Sequence, residues 1–148
     1  MSNLALKKFI PWIPVIIWMG VIFYLSHQPA SESSELSAGL AAKIIYLIEV
    51  IIPVDPDTFH HFIRKSAHFL AYFILGVLVT NALRIQNVKF AGLAFLICVL
   101  YAISDEVHQL FIPGRSGEVR DVLIDGSGAL VGISVYILIK KALHFIKK

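Results

Sequence analysis

Four stretches of this chain are almost uniformly apolar: Phe9–Leu25, Phe69–Leu83, Phe90–Ser104 and Val122–Ile139. A helix that is apolar all round, with no one-sided stripe, is one surrounded by other apolar matter, and runs this long point to lipid. Each run is shorter than the roughly 20 residues that cross a hydrocarbon core of about 30 Å at 1.5 Å per residue. Counting 20 residues from one end of each run gives spans of about 9–28, 64–83, 90–109 and 120–139, and each then takes polar residues into its last turns. Between the first two spans, Leu36, Leu40, Ile44, Leu47, Ile48 and Ile51 recur at helical spacing among polar neighbours, which predicts an amphipathic helix over about 34–52. Ser33 or Ser34 is placed to cap it and Pro53 to stop it, and Asp57 to cap the helix that leads into the second span.

Composition agrees with this reading. Hydrophobic residues make up 57% of the 148 and charged residues 16%, against about 45–50% and 25% in soluble domains, and mean hydropathy is +0.78. A soluble domain of this length could not bury so much apolar surface in one core. The fold expected is an all-α integral membrane protein with four transmembrane helices and an amphipathic outer-face helix between the first and second. Trp12 and Trp18 lie in the first run and no small-residue cleavage pattern follows it, so that run reads as a retained helix. Cys98 is the lone cysteine, which leaves no intramolecular disulfide.

Charge sets the orientation. With both termini in the cytoplasm, Lys7, Lys8, Arg84, Lys89, Lys140, Lys141, Lys147 and Lys148 lie inside, and Lys43, Arg64, Lys65, Arg115 and Arg120 lie outside. Eight against five follows the positive-inside rule. All ten acidic residues fall on the outer side, as do five of the six histidines. The pI near 9.1 therefore reflects membrane topology, and the absence of a contiguous basic patch argues against nucleic acid. The polar cluster is therefore expected toward the extracytoplasmic face of the membrane.

Those polar residues are the candidate chemistry. His68, Asp105 and Asp125 fall four or five residues in from the outer ends of three spans, about 6–8 Å deep. Ionisable groups at such depth are costly and gather in a bundle interior or an aqueous cavity. His60, Arg64, His68 and Tyr72 recur every four residues on one face; Asp105, His108 and Gln109 share another, and Asp121 and Asp125 a third. Lys65, Glu106, Glu118 and Arg120 read first as surface groups at helix ends. Gly128 and Gly132 form a small-xxx-small pattern that permits close helix packing. The catalytic candidates are His68, Asp105, His108, Asp121 and Asp125, with His68–Asp105 as an acid–base pair supported by His108. Arg64 and Arg115, near the positive ends of the second and fourth spans, suit an anionic group. Ser26, His27, Gln28, Tyr72, Glu106 and Gln109 complete the candidate binding set. A divalent metal, if one binds, falls to Asp121, Asp125 and His68; no strong metal motif is present.

The blocks Ser26-His27-Gln28, Arg64-Lys65-Ser66-Ala67-His68-Phe69-Leu70-Ala71-Tyr72, Ser104-Asp105-Glu106-Val107-His108-Gln109-Leu110-Phe111-Ile112-Pro113-Gly114-Arg115 and Asp121-Val122-Leu123-Ile124-Asp125-Gly126-Ser127-Gly128 resemble the VanZ-like family of small bacterial membrane proteins, named for a glycopeptide-resistance protein. The resemblance implies a four-helix membrane domain and a link to teicoplanin resistance or cell-envelope physiology, but no settled reaction. Two functions follow as expectations. One is an enzyme acting on the head group of an outer-leaflet lipid or lipid-linked wall precursor. The other is a non-catalytic protein whose outer cavity binds a lipid, an antibiotic or a partner protein. A transporter fits less well, because the polar groups cluster at one face and no broken helix or inverted repeat is visible.

Overall fold

The structure is a computed structural model that describes residues 9–48, 56–84 and 90–147. These residues are mostly helical, with no strand among them. A 3₁₀ turn at Ile10–Trp12 leads into α1 (Ile13–Ser26); α2 is Ala30–Ile48, α3 Pro56–Ala82, α4 Ala91–Gln109 and α5 Val119–Ile146. Three segments are long and apolar enough to cross a membrane: His61–Ala82, Ala91–Gln109 and Val119–Ile146, while Ile10–Ser26 is a shorter apolar helix.

The helix ends differ from the pattern-based expectation in instructive ways. The first apolar helix stops at Ser26, two residues short of the expected Gln28. There Arg115 takes the carbonyls of Leu25 and Gln28 at 3.2 and 2.9 Å, a C-terminal cap supplied by a distant loop. The amphipathic helix begins at Ala30, so Ser33 and Ser34 lie inside it and do not cap it; the Ala30 N–H reaches instead to the Pro113 carbonyl at 3.3 Å. Pro53 lies outside the described residues. The helix leading into the second span starts at Pro56, where a missing N–H costs nothing, and so places Asp57 in its first turn. The last helix runs seven residues beyond Ile139, through Lys140 and Lys141 to Ile146.

Packing centres on α3 and α5. They run parallel: Phe69 meets Gly128, Phe73 meets Gly132, and the Tyr136 hydroxyl donates to Asn81 at 2.9 Å. At Gly128 and Gly132 an added Cβ would collide with the carbonyl groups of Phe69 and Phe73; glycine lets the two backbones approach this closely. Leu75, Val79, Ala129, Ile133 and Ile137 are buried along the bundle with Ala94, Cys98 and Ala102 of α4. α1 lies antiparallel to α3 and parallel to α4, tied by the Trp18 indole donating to the Ala71 carbonyl (2.8 Å) and the Tyr101 hydroxyl donating to the Met19 carbonyl (2.6 Å). Outside this seam, large apolar side chains such as Ile16, Ile17, Leu93, Leu100, Leu123 and Leu138 are exposed, the surface a lipid solvent requires.

Candidate functional site

Because α1 and α4 run one way and α3 and α5 the other, the C-terminal ends of the first pair meet the N-terminal ends of the second. That geometry collects the polar blocks of all four helices at one end of the bundle. Asp105, Glu106, Asp121 and Asp125 are 2%, 5%, 5% and 0% exposed. Four buried carboxylates need partners, because an unpaired charge inside the bundle is strongly destabilising.

Most of the partners are identifiable. Lys65 of α3 pairs with Asp121, with Glu118 3.6 Å away. The Ser26 hydroxyl donates to Asp105 Oδ2 at 2.7 Å, and the Gln109 amide lies 3.3 Å from the same oxygen. Glu106 accepts the backbone N–H of Glu118 at 2.8 Å and Gln109 Nε2 at 3.2 Å. Through the first of these bonds a side chain on α4 satisfies an orphan N–H at the start of α5. Asp125 faces His68, whose Nδ1 lies 3.4 Å from its Oδ1, but among the described residues neither Asp125 oxygen finds a well-aligned hydrogen bond. Asp105 Oδ1 and the Tyr72 hydroxyl are likewise buried without a hydrogen-bond partner.

Beside this cluster is a pocket of about 280 Å³. Arg64, His68 and Tyr72, successive positions on one face of α3, form one wall. Ser26 and Gln28 at the end of α1, Ser33 of α2 and Arg115 from the α4–α5 loop contribute the remaining polar lining, with Ile22, Leu25, Ile63, Ala67 and Ala71 supplying an apolar side. Gly114 adopts φ +74° just before Arg115, a left-handed turn that glycine takes freely. Burial, and then the neighbouring Arg64, lower the pKa of Arg115 from its usual value; two guanidiniums facing one partly buried space favour an anion between them.

The structure redistributes the roles read from sequence. His68 pairs with Asp125 and not with Asp105, whose Oδ2 is engaged by Ser26 and Gln109. One helical turn separates Asp121 from Asp125, and Asp121 turns toward Lys65. The groups whose ligand atoms all lie within 4.8 Å of one another are therefore His68, Glu106 and Asp125, with Glu106 where the spacing argument placed Asp121. Glu106 is buried, not a solvated surface group, and Lys65 is only 17% exposed at its side chain. Glu106 is buried where the start of α5 meets the end of α4, and Lys65 where α3 meets the start of α5, contacts that one-dimensional spacing cannot report. His27 and His108 stand apart from the carboxylates: their ring nitrogens are 3.2 Å apart and both rings stack with Phe23. The side chain of His60 lies outside the described residues.

Among known protein families, the VanZ/LLP1 family model matches residues 10–140. No curated protein and no solved structure matches the chain. The match includes at least part of every described helix and every residue of the cluster and pocket just described, and with the apolar helices it shows that this membrane protein belongs to the VanZ-like family.

Proposed function

We propose that the chain is a cell-envelope membrane enzyme that acts on the head group of an outer-leaflet lipid or lipid-linked wall precursor. The observation that carries this reading is the pocket: two arginines and an imidazole facing one partly apolar space, with buried carboxylates behind His68 and Ser26. Arg64 and Arg115 hold the anionic group, the apolar side from Ile22 to Ala71 accommodates the start of a lipid chain, and His68 with Asp125 behind it carries the chemistry. In this reading α1 is a fourth span: Ile13, Ile16, Ile17 and Val21 expose apolar surface along it, and its carbonyl end is closed by Arg115. Both termini are cytoplasmic, which puts the pocket at the extracytoplasmic face of the plasma membrane. Family membership makes wall precursors and teicoplanin resistance the first setting in which to look for the activity.

A second reading is non-catalytic: the pocket holds a lipid, antibiotic or partner protein and the charges are structural. The Lys65–Asp121 pair and the Glu106 cap on Glu118 favour it, since both tie α3, α4 and α5 together without facing the pocket. The two readings separate by mass spectrometry of lipids and wall precursors in cells expressing wild type, His68→Gln or Asp105→Asn at matched levels. A species that appears or disappears only with wild type supports the enzyme. Identical profiles in all three, with the protein folded, overturn it in favour of binding.

A further inference from the structure

We infer that His68, Glu106 and Asp125 form a binding site for one divalent cation beside the pocket. Their ligand atoms all lie within 4.8 Å of one another. The 3.4 Å between His68 Nδ1 and Asp125 Oδ1 is longer than an ordinary N–H···O hydrogen bond of about 2.7–3.2 Å. It is close to the edge of a tetrahedron whose centre lies about 2.1 Å from each corner, the bond length of zinc to nitrogen or oxygen ligands. The spacing suits two ligands of one cation better than a donor and its acceptor.

A second observation is the state of Asp125 itself. It is 0% exposed, and among the described residues neither carboxylate oxygen finds a well-aligned hydrogen bond. Buried carboxylate oxygens are ordinarily paired with donors or coordinate a metal. Glu106, by contrast, is held in place by the Glu118 N–H and by Gln109, the kind of outer support that orients a ligating carboxylate.

Charge points the same way. Asp105, Glu106, Asp121 and Asp125 are buried together, and Lys65 is committed to Asp121 and Glu118. Of the other three, Asp105 takes the Ser26 hydroxyl and the Gln109 amide, and one divalent cation balances Glu106 and Asp125, which share only His68 as a basic neighbour. Two carboxylates and one imidazole suit first-row divalent ions such as Mn²⁺ and Zn²⁺. Three protein ligands leave a coordination position open. His68 is the one member that also lines the pocket, so the site adjoins the space that Arg64 and Arg115 line. The inference deepens the reading above, in that the bound cation would act as a Lewis acid on an oxygen of the anionic head group; cation binding itself does not depend on that reading.

The test uses the full chain purified in detergent, stripped with a chelator and titrated separately with Zn²⁺ and Mn²⁺. We expect one equivalent per chain in wild type and binding at least about tenfold weaker in Asp125→Asn and Glu106→Gln. His108→Ala, which removes the half-buried imidazole beside His27, should bind as wild type. The spectrum of bound Mn²⁺ should carry a nitrogen coupling that His68→Gln lacks, which keeps the test valid if Asp125→Asn fails to fold. No stoichiometric binding in wild type, or wild-type affinity in both carboxylate variants, overturns the site. Loss of binding in His108→Ala overturns it as well, and assigns the cation to the His27–His108 pair. Lipid profiles from the same cells keep the two proposals distinct: metal binding without a lipid change refutes the enzyme alone, and a lipid change without metal refutes the site alone.

Discussion

Replacing Gly132 by alanine tests whether close approach of α3 and α5 holds the site together. An added Cβ would lie 2.9 Å from the Phe73 carbonyl carbon, and its oxygen is nearer still. Carbon–carbon contacts are best at about 3.5–4.0 Å, so relief of that contact alone separates the helices by roughly 0.6–1.1 Å, and the nearer oxygen requires more. Neither partner can yield alone, because the atoms met are backbone within α3. Overpacking of this kind costs about 1–3 kcal/mol. Gly126→Ala on the same helix is the matched control: its Cβ would meet nothing closer than Val99 Cγ2 at 3.8 Å, and removing glycine from a helix interior contributes up to about 1 kcal/mol. Reversible unfolding by titrated denaturing detergent in bicelles reads both changes. Gly132→Ala should unfold at lower detergent fraction than wild type, and Gly126→Ala at an equal or higher one. His68 and Asp125 face each other across the same helix pair, so Gly132→Ala should also weaken pocket function more than its stability loss explains. If the two variants unfold together, the close approach does not carry the stability assigned to it.

Lys65→Met should destabilise by about 3–5 kcal/mol in the same unfolding assay, because it leaves Asp121 buried without its cation, and Lys65→Met combined with Asp121→Asn should recover most of the loss. Arg115→Lys should cost about 1–2 kcal/mol, since a single ammonium cannot reproduce the fork that reaches the carbonyls of both Leu25 and Gln28; the same variant should lower pocket affinity for anionic head groups in a vesicle-binding assay. Arg64→Ala should reduce that affinity with a smaller change in unfolding. Cys98 is 0% exposed, so a maleimide should leave the folded protein unlabelled and modify it stoichiometrically once denatured, a result read by intact-protein mass spectrometry.

How much of the site is legible in the chain follows from what spacing can express. The four-residue recurrence of Arg64, His68 and Tyr72 is a property of one helix, and the same three residues line one pocket wall. Gly128 and Gly132 are likewise one helix's stripe, and they mark the α3–α5 seam. The pairing of His68 with Asp125 and not Asp105 depends on which helix stands opposite α3. The burial of Glu106 depends on the start of α5 folding back over the end of α4. The cap on α1 comes from Arg115, 87 positions after Gln28.

Taken by itself, the sequence determined the lipid-suited helices, the amphipathic segment between them and the gathering of polar blocks at corresponding ends, because hydrophobicity and helical period act locally along a chain. Only the tertiary structure decided which carboxylate meets which base and which three groups share one point. Those choices turn on the rotation and depth of each helix against its neighbours, and these are set by contacts such as Phe73 on Gly132 that join residues far apart in the chain.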